Sequence, residues 1–133
     1  MKITLTSIPV QDQARALAFY TEKLGFEKKE DIPMGEHRWL TVISPEGVTG
    51  VELLLEPLGF EPAKDYYKSL YESGIPATQF ESEDLDREID ALKARGVVFR
   101  GEAQEMDGAK FISFEDTCGN LICLVEKKTE GGT

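Results

Sequence analysis

The feature that most constrains the fold is a pair of strand-like segments at a constant spacing. Val51–Glu56 is apolar apart from its glutamates and predicts a strand, and Ile122 begins a similar apolar segment 71 residues after Val51. Gly25 and Gly96, each of which ends a helical pattern, lie at the same spacing. A shared offset in separate segments indicates two copies of one supersecondary unit. The chain is therefore predicted to contain an internal duplication.

The apolar periodicity predicts the same order of elements, β-α-β-β-β, in both halves. We therefore predict a single domain of the α+β class over residues 1–126. It consists of module 1–56 and module 77–126, which a linker helix within 57–76 connects. The polar residues 127–133 are expected to form a flexible tail.

Local signals add detail to this scheme. Asp12 is expected to cap the first helix, and Glu83 or Asp84 the helix of the second module. Loops are expected at 33–36 and 104–109. The linker carries an aromatic stripe that predicts a buried helix face, formed by Tyr66, Tyr67, Leu70 and Tyr71.

Charge and hydropathy exclude some partners. The formal net charge of −10 argues against nucleic acid, because neutralising phosphates requires clustered Lys and Arg. It permits a cationic ligand, although plain solubility explains it as well. No apolar run reaches the roughly 20 residues that span a bilayer, and residues 1–5 lack the pattern of a signal peptide. We therefore expect a cytoplasmic protein with no membrane partner.

Cysteine and histidine usage limits the chemistry. Cys118 and Cys123 have neither the spacing nor the compartment expected of a disulfide. Cys123 is interpreted as a small buried apolar residue, because nothing in the sequence places a base or a cation beside its thiol. His37 is the only histidine, which excludes a His-rich metal site within one chain.

Three motifs, spread over nearly the whole chain, resemble those of one family. They are Val10-x-Asp12 with Ala18-Phe19-Tyr20 and Leu24-Gly25-Phe26, then Glu83-Asp84-Leu85-Asp86 with Leu92-x-x-Arg95-Gly96-Val97, then Phe114-x-Asp116-x-x-Gly119-Asn120. The chain resembles the vicinal oxygen chelate superfamily, which includes glyoxalase I, bleomycin-resistance proteins and extradiol dioxygenases. The resemblance implies two βαβββ modules that form a half-barrel with a cavity on its concave face. It also implies a homodimer, since small members commonly dimerise.

The resemblance also implies where a metal would bind in metal-dependent members, at four strand positions that point into the cavity. Those positions fall on Leu5, Glu52, Ala77 (with Thr78 or Gln79 if the register slips) and Cys123. Leucine and alanine supply no ligand atom, and a divalent ion needs several N, O or S ligands. No cofactor is therefore expected, and a divalent metal is the alternative.

The leading hypothesis is a cytosolic protein that binds a small molecule in the half-barrel cavity, of the drug-resistance or sequestration kind. Its ligand-binding residues would be Leu5, Trp39, Glu52, Ala77 and Cys123. Trp39 suits a planar or apolar ligand, although the core or a dimer interface would explain it too. The alternative is a glyoxalase-like lyase or isomerase with Glu52 as general base on a carbonyl substrate, since apolar neighbours favour that role for a carboxylate. A third hypothesis is a regulator or accessory subunit with a decayed cavity.

Overall fold

Each half of the chain folds into a four-stranded sheet with a helix against one face, in the computed structural model that describes residues 1–127. The first module contains β1 (Leu5–Val10), α1 (Gln13–Ala18), β2 (Glu27–Met34), β3 (His37–Ile43) and β4 (Glu52–Pro57). The linker contains α2 (Glu61–Glu72). The second module contains β5 (Thr78–Glu81), α3 (Leu85–Ala94), β6 (Phe99–Met106), β7 (Ala109–Glu115) and β8 (Leu121–Lys127).

The two sheets have the same topology. Sheet 1 has the strand order β1-β4-β3-β2, and sheet 2 has the order β5-β8-β7-β6. The first and last strands of each module pair in parallel, so that Leu5 lies opposite Glu52 and Gln79 lies opposite Cys123. The remaining strand pairs are antiparallel. The predicted duplication of a βαβββ unit within an α+β fold is confirmed.

Both modules contribute to one hydrophobic core. Each strand alternates its side chains between the two faces of its sheet. The apolar positions on the helix side of both sheets join α1 and α3 in a single buried cluster that includes Ile8, Tyr20, Leu40, Val42, Leu55, Leu85, Ile89, Ile112, Phe114, Ile122 and Leu124. The opposite side of each sheet, which we call its open face, therefore points away from this core.

The helix ends follow the local sequence. Asp12 and Asp84 each accept a hydrogen bond from the backbone N–H three residues further on, at 3.0 Å and 3.3 Å. These bonds satisfy N–H groups that have no partner inside the helix. α1 continues as a π-helical turn over Phe19–Lys23, and Gly25 follows with φ +82°. The two aspartate caps agree with the prediction.

Two hairpins and the C-terminal end differ from the prediction. β2 and β6 extend through most of the expected loops, and the turns narrow to residues 35–36 and 107–108. Asp107 and Gly108 have φ +49° and +82°, which a two-residue type I′ turn requires, and Asp-Gly is a strong signal for that turn. The expected tail starts at Lys127, but Lys127 ends β8, and residues 128–133 lie outside the described part of the chain.

The linker helix is less buried than its aromatic stripe predicts. No residue of α2 is buried, so the expectation of a buried helix face is wrong. The Tyr71 hydroxyl donates a hydrogen bond to Glu115, and the Arg100 guanidinium carbon lies 4.9 Å from the centroid of the Tyr71 ring. Polar and cation–π contacts with the second module thus hold α2 in place. Among residues 1–127 no helix is both long and apolar enough to cross a membrane.

Candidate functional site

The open face of sheet 1 is lined by half-exposed apolar side chains. Trp39 and Ile43 alternate along β3 with the buried Leu40 and Val42. Leu54 on β4 faces the same side as Trp39 and Ile43, as the strand register requires. This division of β3 follows from the two-residue period of a strand, whose side chains alternate between the core face and the opposite face.

Glu52, the first residue of β4, places a carboxylate on this face beside the partly exposed Leu5. The Thr41 hydroxyl donates a hydrogen bond of 2.7 Å to Glu52 Oε1, and Thr41 Oγ1 accepts one from the backbone N–H of Glu30 at 3.1 Å. Trp39 Nε1 donates to Glu30 Oε2 at 3.1 Å. The bond from Thr41 fixes the orientation of one carboxylate oxygen of Glu52. Two carboxylate oxygens accept about four hydrogen bonds, so Glu52 retains acceptor capacity for a ligand.

The register of sheet 2 corrects one predicted position. Gln79 lies opposite Cys123, as Leu5 lies opposite Glu52 in sheet 1. The equivalent of Leu5 is therefore Gln79, which the prediction named as an alternative for a slipped register, and not Ala77. Ala77 precedes β5, and its side chain packs against the core cluster.

A cavity of about 320 Å³ lies on the open face of sheet 2, and Cys123 lines it. Arg100, Gln104, Phe111 and Ser113 also line it, together with the end of the linker. Leu5, Trp39, Glu52 and Ala77 do not line this cavity. Within one chain, Leu5, Trp39 and Glu52 thus lie on the open face of sheet 1 and Cys123 lies on that of sheet 2. Ala77 lies on neither, because it packs against the core.

Arg100 lines this cavity and was not among the residues predicted from the sequence. Its pairing with Ser113 places it on the same side of sheet 2 as Cys123. The register of β6 shifts between Arg100 and Gln104, so simple alternation along this strand does not predict which side chains face the cavity.

The four family positions do not fit a divalent metal. Leu5 has no donor atom, and Gln79 has only a neutral amide. Glu52 and Cys123 carry ligand atoms of the usual kind, but they lie on different sheets. Residues 1–127 contain no group of three or more His, Cys, Asp or Glu side chains that could hold a metal ion.

Both cysteines are free thiols with raised pKa values. Burial raises the pKa of Cys123 above its ordinary value. Burial, and then the Asp116 carboxylate, raises the pKa of Cys118 to about 11. The thiolate is the nucleophilic form, so neither thiol is activated at neutral pH.

The Cys118→Ser variant, which keeps only Cys123, is expected to react slowly with a disulfide reagent such as Ellman's reagent at pH 7. The rate should keep rising as the pH passes 9, because the raised pKa of Cys123 moves thiolate formation to higher pH. The variant unfolded in guanidinium serves as the control, and it should react rapidly. A rate that levels off below pH 8 would show a stabilised thiolate and contradict this expectation.

Two linked βαβββ modules, each with a half-exposed apolar open face, define a class of small duplicated α+β proteins. Over residues 2–124 the chain matches the Glyoxalase/Bleomycin resistance protein/Dioxygenase superfamily, and it belongs to that family. The resemblance seen in the motifs is thereby confirmed.

Relatives and solved structures agree with this assignment. The uncharacterized protein YurT of Bacillus subtilis (strain 168) is 53% identical over 127 residues, which covers 96% of this chain and 100% of YurT. The crystal structure of UcmS2 has a TM-score of 0.78 at 33% identity, covering 94% of this chain and 97% of UcmS2. The crystal structure of TnmS3, an antibiotic binding protein from Streptomyces sp. CB03234, has a TM-score of 0.73 at 26% identity. The match covers 96% of this chain and 97% of TnmS3.

Proposed function

We propose that this protein binds and sequesters a small, mainly apolar molecule against the open faces of its sheets, without a divalent metal. The observation that carries the proposal is the half-exposed row of Trp39, Ile43 and Leu54 beside one oriented carboxylate, Glu52. Sites for small molecules combine a mostly apolar wall with a few fixed polar groups. The likeness to TnmS3, which is described as an antibiotic binding protein, supports the proposal.

The separation of the two open faces supports a binding groove that two copies of the chain share. The cavity on sheet 2 takes its lining from the linker and the second module alone. In a homodimer, the open face of sheet 1 of one copy would face the open face of sheet 2 of the other. This arrangement would cover apolar side chains that a monomer exposes. Light scattering that gives the mass of a single 14.8 kDa chain at micromolar concentration would contradict the shared groove.

Trp39 provides a direct test, because it is the only tryptophan and lies on the proposed binding face. Titration with bleomycin and with a panel of polycyclic aromatic antibiotics should change its fluorescence for at least one compound. For that compound, Leu54→Arg is expected to weaken binding about tenfold or more, since it places a long charged side chain in the apolar wall. Binding should persist after dialysis against a chelator.

The matched control for Leu54→Arg is Val48→Arg, which adds the same charge at a residue that is 79% exposed and lies between β3 and β4. Val48→Arg should bind like the parent protein. Equal affinity of Leu54→Arg and the parent would overturn the open face as the binding surface. Loss of binding on chelation would overturn the metal-free proposal.

A second candidate function is proton transfer by Glu52 on a carbonyl substrate, as in a glyoxalase-like lyase or isomerase. The hydrogen bond from Thr41 favours it, because a general base must be held in a fixed orientation. If a bound carbonyl compound is turned over, Glu52→Gln is expected to lower kcat at least 100-fold, the size of a general-base contribution, with little change in stability.

The control for this variant lies on the same strand. Glu56→Gln removes an exposed carboxylate four residues further along β4 and should leave kcat unchanged. Glu52→Gln with parental kcat would exclude the proton-transfer role, and a ligand that binds without turnover would leave sequestration as the function.

A further inference from the structure

A second cavity lies between α2 and the rest of the protein. This cavity, which we call the linker cleft, has a volume of about 770 Å³ and is lined by one face of α2, by Arg15 on α1 and by the turn 117–120. It shares no lining residue with the cavity on sheet 2, and Leu5, Trp39 and Glu52 do not line it. Its volume lies in the range of sites for drug-sized molecules.

One face of α2 forms a wall of the linker cleft. Lys64, Tyr67, Lys68 and Tyr71 line the cleft, and their spacing places them on one side of the helix. An amphipathic helix of a globular protein usually buries its apolar stripe against a core. Because no residue of α2 is buried, the two tyrosines instead present their rings to the cleft.

Both tyrosine rings of the cleft are held in place by neighbours. The ring of Tyr67 packs edge to face against Tyr66, with centroids 5.2 Å apart. The hydroxyl of Tyr71 is bound to Glu115, and its ring lies under the guanidinium of Arg100. Rings that are already ordered lose little conformational entropy when a planar ligand stacks on them.

Positive charge is in excess at the linker cleft. Arg15, Lys64 and Lys68 line it, and Glu115 is the one acidic side chain among its described lining residues. Glu115 is already offset by Arg100, whose Nε lies 3.5 Å away. Lys64 pairs with an acid of its own helix, whereas Arg15 and Lys68 form no ion pair within residues 1–127. The chain as a whole carries a net charge of −10, so this local excess of positive charge distinguishes the cleft from the rest of the protein. Positive charge at a cleft attracts an anion.

We propose that the linker cleft is a second binding site, for a small aromatic anion. Arg15 and Lys68 bind the anionic group, and Tyr67 and Tyr71 contact the ring. The ligand chemistry differs from that of the open face of sheet 1, where the oriented polar group is the carboxylate of Glu52. The two sites are therefore independent, and this proposal does not rest on the sequestration function.

The test compares anilinonaphthalene sulfonate, a fluorescent aromatic anion, with phenylnaphthylamine, which lacks the sulfonate. The parent protein should bind the sulfonate at one site per chain, and more weakly as salt screens the cations. The double variant Arg15→Gln/Lys68→Gln should bind it at least tenfold more weakly, and phenylnaphthylamine should bind equally to both proteins. Amide chemical shifts should change at Gly119 and along α2.

Two matched variants complete the experiment. Lys29→Gln removes an exposed lysine on β2, outside the cleft, and should bind the sulfonate like the parent protein. Leu54→Arg alters the open face of sheet 1 and should also leave sulfonate binding unchanged. Parental affinity in the double variant, or loss of sulfonate binding in Leu54→Arg, would overturn the proposal. So would chemical-shift changes confined to the open faces.

Discussion

Replacing Asp116 by alanine is expected to lower the free energy of unfolding by about 3 to 4 kcal/mol, because the side chain is fully buried and accepts four hydrogen bonds. Its Oδ1 accepts from the backbone N–H groups of Cys118 (2.7 Å) and Asn120 (3.0 Å). Its Oδ2 accepts from the Tyr20 hydroxyl (2.7 Å) and from the Asn120 side-chain amide (2.9 Å). Burial raises the pKa of Tyr20 well above its ordinary value, so the hydroxyl remains a donor at neutral pH. Alanine would leave these buried donors without an acceptor.

Asp116→Ala would also remove a hydrogen bond that connects the two modules. Tyr20 belongs to the first module and Asp116 to the second, and the Asn120 amide also donates to the Pro9 carbonyl of β1 at 2.8 Å. Urea denaturation monitored by circular dichroism measures the effect. Asp90→Ala, on the exposed side of α3, is the control and should change stability by less than about 0.5 kcal/mol. A loss below about 1 kcal/mol in Asp116→Ala would contradict the structural role.

Replacing Phe114 by alanine is expected to lower the free energy of unfolding by about 3 to 5 kcal/mol, through lost burial and the cavity left behind. Phe114 is 1% exposed and lies on the helix side of β7. Its ring centroid lies 6.3 Å from that of Phe19 in the first module and 5.8 Å from that of Phe99. The neighbouring side chains come from a strand and a helix that are both fixed by other contacts, so the cavity cannot close fully.

Phe111→Ala is the matched control, because Phe111 lies on the same strand but on the open face, where it is half-exposed. Its replacement should cost less than half as much in the same denaturation experiment. Equal losses for the two variants would show that the two faces of sheet 2 do not differ in burial as described.

Residues that build the core and residues that build the open face alternate along the same strands. On β3, Leu40 and Val42 pack in the core while Trp39 and Ile43 face outward. Changes to the open face, such as Leu54→Arg, should therefore affect binding with little effect on folding. Changes such as Phe114→Ala should affect folding first. Weaker binding by Leu54→Arg can therefore be assigned to the open face and not to unfolding.

The duplication and the alternation of faces were determined by the sequence alone, because both depend on local periodicity. The spacing of Gly25 and Gly96 and the alternation along β3 are preserved wherever the modules sit in space. The Asp-Gly turn at 107–108 carried a local signal of the same kind and was predictable, although it was expected to be part of a longer loop.

The tertiary structure decided the positions that depend on register between distant strands. Glu52 and Cys123 are 71 residues apart, but their partners Leu5 and Gln79 are 74 apart, because Leu5 precedes Glu52 by 47 residues whereas Gln79 precedes Cys123 by only 44. Only the hydrogen-bond ladder between β5 and β8 determines that Gln79, and not Ala77, lies opposite Cys123.

The surroundings of the aromatic and acidic side chains were likewise decided by tertiary packing. The stripe of α2 has the spacing of a buried face, yet no residue of α2 is buried and two of its tyrosines border a cleft. Tyr71 meets the second module through Glu115 and Arg100. The residues from Asp116 to Asn120 have the composition of a turn, which does not by itself indicate burial. Asp116 is buried because the other module packs over it and Tyr20 donates a hydrogen bond to it. Helical and strand periods specify which residues share a face, and the packing of one module on the other determines what that face meets.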